Sequence, residues 1–316
     1  MSITIIKPKS HEEWLNVRQS GIGSSEIATI VGLNPFETPY QLWRRKLGID
    51  PPKQETFAMK AGHYLEDAIA RFWQDASGRE VIKSSAGDWI VRNNETPYIQ
   101  VSPDRTFWLN EGKHNLRDWK SKGILECKST QKNIDRDDIP KHWFCQVQWQ
   151  LGGSELEQGS LAWLVAGRQF DYIDLMFVSD FFGWLKEQAG KFWTDNIVGK
   201  KEPEAVNVDD IVAKYSVHTD GKTIEVGDDM FEVYSDLKNL KDEIAVLEER
   251  KKELEGKLKM AFGDAESISY GGATLATWKA PKATKKFNAK WFCESNPALA
   301  DEFSEEVQGA RRFVLK

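Results

Sequence analysis

The spacing of apolar residues changes near residue 200, and that change divides the chain. Upstream, short helical and strand-like segments alternate. Downstream, Val233, Leu237, Leu240, Ile244, Leu247, Leu254, Leu258 and Ala261 follow alternating steps of four and three, with Lys251 in the one polar seam position. This heptad predicts a helix of roughly 30 residues, about 45 Å long at about 1.5 Å per residue. Such a seam serves a dimer or trimer contact, or docks on its own chain. Gly263-Asp264 closes the helix. A hairpin is predicted over 266–278 around Gly271-Gly272, then helix over 288–304 with a break at Pro297, and a last strand over 312–316.

Residues 12–48 read as helix, turn and helix. The turn is Ser20-Gly21-Ile22-Gly23-Ser24-Ser25, with Ser24 or Ser25 as N-cap of a short helix that Gly32 ends. Pro39 to Leu47 forms the next helix. Residues 57–76 place Leu65, Ile69, Phe72 and Trp73 on one helical stripe. Strand character follows at 79–92, 97–109 and 122–129, with a polar loop over 110–122. Helix is predicted at 141–152, two strands within 160–178, and helix at 180–198. This order predicts an α/β (α+β) domain with a central mixed sheet flanked by helices over 1–204. A linker over 205–228 and an extension over 229–316, long helix plus small α+β tail, complete the expected organisation.

Composition narrows the classes. With 40% hydrophobic and 29% charged residues the chain is ordinary for a globular protein. No apolar run reaches the roughly 18 residues of a spanning helix, and no leader pattern opens the sequence. Cys127, Cys145 and Cys293 form no CxxC pair, which argues against disulfides and structural zinc and for a reducing cytoplasm. A net charge of -6 disfavours a protein that coats nucleic acid but permits a local positive groove. Most of the excess acid lies after residue 200.

The chemistry centres on Leu125-Glu126-Cys127-Lys128-Ser129. On a strand, Glu126 and Lys128 share a face and Cys127 points the other way. A carboxylate beside an ammonium suits phosphodiester hydrolysis: the acid holds a divalent cation, and the lysine orients and helps deprotonate the attacking water, or neutralises developing charge. Asp104 follows a strand and a Pro turn, and two adjacent strands can bring it beside Glu126 as an oxygen ligand set for Mg²⁺. Glu66 stands at the border of the buried stripe of its helix, as an exposed charge or as a third carboxylate turned into a cleft. His63, one turn earlier, is either structural or faces that cleft. The Gly-rich turn before residue 26 offers free N–H groups at a helix N-terminus, and Arg18 adds a bidentate fork for phosphate. Trp143 and Trp149 are assigned to the core, and Gln150 to the helix surface.

The run Arg18-Gln19-Ser20-Gly21-Ile22-Gly23-Ser24-Ser25-Glu26, then Gly-His-Tyr-Leu-Glu at 62–66, Ser-Pro-Asp at 102–104, Glu-Cys-Lys at 126–128 and Gln-Val-Gln at 146–148 resembles the YqaJ-like viral recombinase family. This is the lambda-exonuclease branch of the PD-(D/E)xK nucleases, and the resemblance covers about residues 10–200. It implies a restriction-endonuclease-like core and a 5′→3′ exonuclease acting on linear double-stranded DNA. Asp104, Glu126, the Cys127 carbonyl and Glu66 would hold one or two Mg²⁺ ions, with Mn²⁺ as substitute. Lys128 would position water and Gln146 would contact the scissile region. Arg18 and Ser25 would bind the terminal 5′-phosphate, with Ser24, His63 and Gln148 beside the DNA. The resemblance further implies homo-oligomers (ring, trimer or tetramer), a single-strand annealing protein as partner, and a phage or prophage gene.

Two other readings remain open at this point: an endonuclease of the same fold, and a non-catalytic DNA-binding scaffold. The Lys279, Lys282, Lys285 and Lys286 cluster reads as a solvated turn, a contact to DNA phosphates or a docking site for the annealing partner.

Overall fold

The computed structural model describes residues 3–51, 55–82, 89–112, 114–115, 117–306 and 309–316. The chain divides into two compact units, Met1–Lys214 and Tyr215–Lys316.

The first unit opens with β1 (Ile3–Ile6), which the sequence reading did not anticipate, then α1 (His11–Gln19), α2 (Ser24–Ile30), α3 (Pro39–Lys46) and α4 (Phe57–Ser77). Next come β2 (Val81–Ile82), β3 (Ile90–Asn93), β4 (Gln100–Val101), β5 (Arg105–Trp108) and β6 (Lys122–Thr130). The expected strand over 79–92 is thus two short ones, and residues 83–88 lie outside the described residues. The unit continues with α5 (Lys141–Ser154), β7 (Gln158–Val165), β8 (Gln169–Met176) and α6 (Ser179–Lys191). The helix predicted to 198 loosens into π-helical turns over Phe192–Val198. Then α7 (Val208–Lys214) lies inside the segment read as linker. It is docked by buried Asp210, whose Oδ1 accepts from Thr38 Oγ1 at 2.9 Å and Gln41 Nε2 at 3.0 Å.

The central sheet runs β2-β5-β6-β7-β8. The β6–β7 pair is parallel and the others antiparallel, so this is the mixed sheet predicted. A second, antiparallel sheet orders β1-β3-β4. Alternation along β6 explains why both of its faces are covered. Leu125 and Cys127 join Ile69, Ala70 and Trp73 of α4, while Ile124 joins Trp143, Val147 and Leu151 of α5. Each such large apolar side chain contributes about 1.5–3 kcal/mol when buried. Trp73 is fully buried and its Nε1 donates to Ser160 Oγ on β7 at 2.6 Å, which fastens the C-terminal half of α4 to the sheet.

In the second unit α8 (Asp228–Phe262) is a single helix of 35 residues, followed by the β9 (Ser267–Tyr270) and β10 (Ala273–Thr277) hairpin, α9 (Ala289–Ser295) and α10 (Pro297–Glu302). Gly271 and Gly272 take the positive φ angles that the turn requires. Arg312–Lys316 forms no strand, contrary to expectation. Its apolar pair Phe313 and Val314 is exposed. Among the described residues no helix is long and apolar enough to cross a membrane.

Candidate active site

The antiparallel register of β5 against β6 sets Arg105 opposite Leu125 and so brings the residue before β5, Asp104, level with Glu126. Asp104 Oδ2 accepts the Cys127 N–H at 2.7 Å. Glu126 faces α5, where Lys128 Nζ lies 2.6 Å from its Oε1 and Gln146 Nε2 donates to the same oxygen. Gln146 Oε1 in turn accepts from Lys128 at 3.0 Å. Glu66 reaches the same cleft from α4, with His63 Nδ1 3.0 Å from its Oε1.

These groups and the Gly/Ser turn line one cavity of about 470 Å³. Of the residues singled out in the sequence, it brings together Arg18, Ser24, Ser25, His63, Glu66, Asp104, Glu126, Cys127, Lys128 and Gln146. Gln148 is not among them. It is fully buried and its amide is spent on backbone: Nε2 donates to Met176 O at 2.9 Å and Oε1 accepts from Val178 N at 2.8 Å. A step of two residues on a helix turns about 200°, so Gln146 and Gln148 face opposite sides.

The step of four that does share a face leads to Gln150. The assignment of Gln150 to the helix surface is overturned: it is 0% exposed and its Nε2 donates to Glu126 Oε2 at 2.7 Å. Both carboxylate oxygens of Glu126 are therefore held, one by Lys128 and Gln146 and the other by Gln150. Arg105 was missed as well. Its guanidinium is buried beneath the cleft, 2.6 Å from Asp67 Oδ1 and 3.8 Å from Glu66 Oε2. The alternation of β5 marks Arg105 as inward-facing, which is the signal that could have found it.

The electrostatics follow from this crowding. Burial raises the Asp104 pKa well above the usual carboxylate range, and the Glu126 and Glu66 charges push it further. Burial likewise raises that of Glu66, against the pull of His63 and Arg105. Burial works against the charge of Lys128, but Glu126 and Asp104 outweigh it and the ammonium is held above its ordinary value. Burial pushes the Cys127 thiol well up, and the Asp104 and Glu126 charges add to it. Among the described residues no three His, Cys, Asp or Glu side chains are already gathered in metal-holding geometry.

At the other wall, Arg18 Nη2 donates to Ser25 Oγ at 3.3 Å, and its guanidinium lies over the Trp14 ring. The N-cap of α2 is Gly23, not Ser24 or Ser25, because the Glu26 carboxylate takes the Gly23 N–H at 2.8 Å and closes the box from inside. Both serines thus sit in the first turn with their hydroxyls spared. Ser24 Oγ is buried and has no partner among the described residues. Beneath the turn, Lys46 Nζ is 2.8 Å from Glu26 Oε2 and donates to Gly21 O at 2.5 Å and Arg18 O at 3.0 Å. Arg45 links Glu26, at 3.2 Å, to Glu37, at 3.0 Å. Burial opposes ionisation of Glu26, but Lys46, Arg18 and Arg45 prevail and lower its pKa to about 2.

A mixed sheet lies between helices, and a carboxylate and lysine cluster faces a Gly/Ser turn across one cavity. Residues 13–157 match the YqaJ-like viral recombinase domain. The match falls on the stretch that holds the motifs quoted above. It is 29% identical over 318 residues to the uncharacterized protein YqaJ of Bacillus subtilis (strain 168), covering 97% of this chain and 94% of that one. Among solved structures, an alkaline exonuclease (LHK-Exo) from Laribacter hongkongensis superposes with a TM-score of 0.45 at 12% identity, covering 60% of this chain and 93% of that one. A phage related exonuclease from Haemophilus somnus 129PT does so at 0.39 and 11%, covering 57% and 96%.

Proposed function

We propose that this protein is a metal-dependent deoxyribonuclease that digests the 5′-terminated strand of linear duplex DNA and leaves 3′ single-stranded overhangs. The observation that carries the reading is the shared cavity: the Glu66, Asp104, Glu126 and Lys128 cluster faces the Arg18, Ser24 and Ser25 turn across it. One wall suits hydrolysis of a phosphodiester, and the other suits a free terminal phosphate. The unpartnered Ser24 hydroxyl supports the second half of the reading.

The donor set fits a hard divalent cation. Carboxylate oxygens from Asp104, Glu126 and Glu66 and the Cys127 carbonyl would hold Mg²⁺, with Mn²⁺ as substitute; burial first, and then the Glu126 and Glu66 charges, raise the Asp104 pKa, and a cation would offset both. When bound, such an ion polarises the phosphate and lowers the pKa of a ligated water. Lys128, whose ammonium Glu126 and Asp104 favour against its burial, positions the attacking water and neutralises charge developing on the phosphate. Gln146 and Gln150 fix the Glu126 carboxylate in one rotamer. Arg18 and the α2 N-terminus seat the terminal phosphate and set the register of the strand. The overhang is the substrate class of a single-strand annealing protein, and the enzyme acts as a homo-oligomer around its DNA.

The test is digestion with Mg²⁺ of linear duplexes bearing a 5′-phosphate or a 5′-hydroxyl, with closed circular DNA and Lys128→Ala as controls. Rapid loss of the phosphorylated strand, spared circles and a silent variant are expected. Cutting of circles, or no hydrolysis with either metal, overturns the reading.

A further inference from the structure

The C-terminal helix carries an interaction surface that the nuclease reading does not use. In α8 the heptad places Leu237, Ile244, Lys251 and Leu258 at a positions and Val233, Leu240, Leu247 and Leu254 at d positions. The seven apolar members are 42–67% exposed. A strict period of 3.5 over four repeats suits another helix and not a flat protein face, because only a supercoiled partner follows such a stripe along its whole length.

The flanking charges identify the partner. The g positions are Asp236, Glu243, Arg250 and Lys257; the charged e positions are Lys241, Glu248 and Glu255. In a parallel pair of two copies, each g residue meets the e residue five further on. Asp236 then meets Lys241 and Arg250 meets Glu255, but Glu243 faces Glu248 and Lys251 stacks on its own copy in the core. In an antiparallel pair, a faces d, g faces g and e faces e. With Ile244 opposite Leu247, Leu237 falls opposite Leu254 and Val233 opposite Leu258. In the same register Asp236 meets Lys257, Glu243 meets Arg250 and Lys241 meets Glu248, each twice by symmetry. No like charges oppose, and the two Lys251 side chains are kept apart, each against Leu240. Among the described residues Asp236, Lys241, Glu243, Glu248 and Lys257 make no ion pair within the chain, so these charges are available.

We infer that α8 pairs with the α8 of a second copy as an antiparallel two-stranded coiled coil, with its two-fold axis between Ala245 and Val246. The contact is isologous, the same patch on both copies, and closes on itself. The e and g charges set the orientation, as they do generally in such assemblies. The inference is independent of the chemistry proposed for the first unit.

The test uses the full chain. Unlabelled and nitrogen-15-labelled protein are mixed and treated with a zero-length carbodiimide, and linked peptides are read by mass spectrometry. Mixed-isotope links Asp236–Lys257 and Lys241–Glu248 are expected. A mixed-isotope Asp236–Lys241 link, or no mixed-isotope link within 228–262, overturns the inference. A second measurement is sedimentation of Glu243→Arg, whose two exposed pairs turn from attraction to repulsion and weaken association by roughly tenfold. Adding Arg250→Glu restores it. A parallel seam responds oppositely, because Glu243→Arg then faces Glu248 and tightens the pair.

Discussion

Gln150 donates to Glu126 Oε2 at 2.7 Å from a position with no solvent exposure. This bond fixes the carboxylate that Lys128 and Gln146 approach from the other side. Replacing Gln150 by Ala removes a hydrogen bond to a charged group, of about 1.5–3 kcal/mol, and leaves Glu126 free to turn. The expected outcome is a kcat lower by about tenfold to a hundredfold with little change in KM for duplex ends. Steady-state kinetics check it, and an unchanged kcat contradicts the role.

Asp104 is costly to ionise because of burial and of Glu126 and Glu66 beside it. Its folded pKa is raised, so its favourable contribution to stability is complete at acid pH, below the unfolded value, and is lost as pH rises through the folded value. At neutral pH Asp104→Asn should therefore stabilise the metal-free protein, and a gain of about 1 kcal/mol raises Tm by roughly 2–4 °C. The gain should shrink in acid. Mg²⁺ should raise the Tm of the wild type and not that of the variant, which is inactive. Thermal melts with and without chelator check both halves.

Gly23 makes room for Arg18. A Cβ there would stand 2.5 Å from Arg18 Nη2, the movable end of a long side chain. Gly23→Ala should therefore displace the guanidinium while costing little stability. Preference for 5′-phosphorylated over 5′-hydroxyl ends should fall at least severalfold, with Tm nearly unchanged. Loss of fold, or retained preference, would contradict this account.

Glu26 has the opposite sign to Asp104. Its pKa falls from 4.5 to about 2 because Lys46, Arg18 and Arg45 overcome its burial. A lowered carboxylate contributes stability fully above the unfolded pKa and loses it as pH falls through the folded one. Glu26→Gln leaves Lys46 buried without its counter-charge, a loss of about 3–5 kcal/mol for a broken buried pair. Denaturant melts should show the full deficit at pH 7 and a shrinking one between pH 4.5 and 2.

Much of this was legible in the sequence, and the misses have physical causes. The period of two along β6 separated Glu126 and Lys128 from Cys127, and the stripe of α4 located Trp73 and Ile69 in the core. The helical period, applied to α5, would have paired Gln146 with Gln150; reading a motif as contiguous letters paired it with Gln148 instead. The capping role went to a serine by residue preference, whereas tertiary contacts among Lys46, Arg45 and Glu26 gave it to Gly23 and a carboxylate. No local pattern announces such a network, because its members lie on two helices and its partners are backbone carbonyls. The strand β1 was hidden for the same reason: what gives it meaning is its partner β3, distant in the chain.

The packing of α4 has a mechanical side. Its second half is clamped by Ile69, Ala70 and Trp73, while Phe57, Met59 and Tyr64 in its first half stand exposed. The helix is a cantilever, and Glu66 sits where the clamp begins. Ala58 and Met59 of the exposed half line the same cavity as Glu66, so one helix presents to it both a solvent-facing stretch and a carboxylate next to the core-packed Leu65.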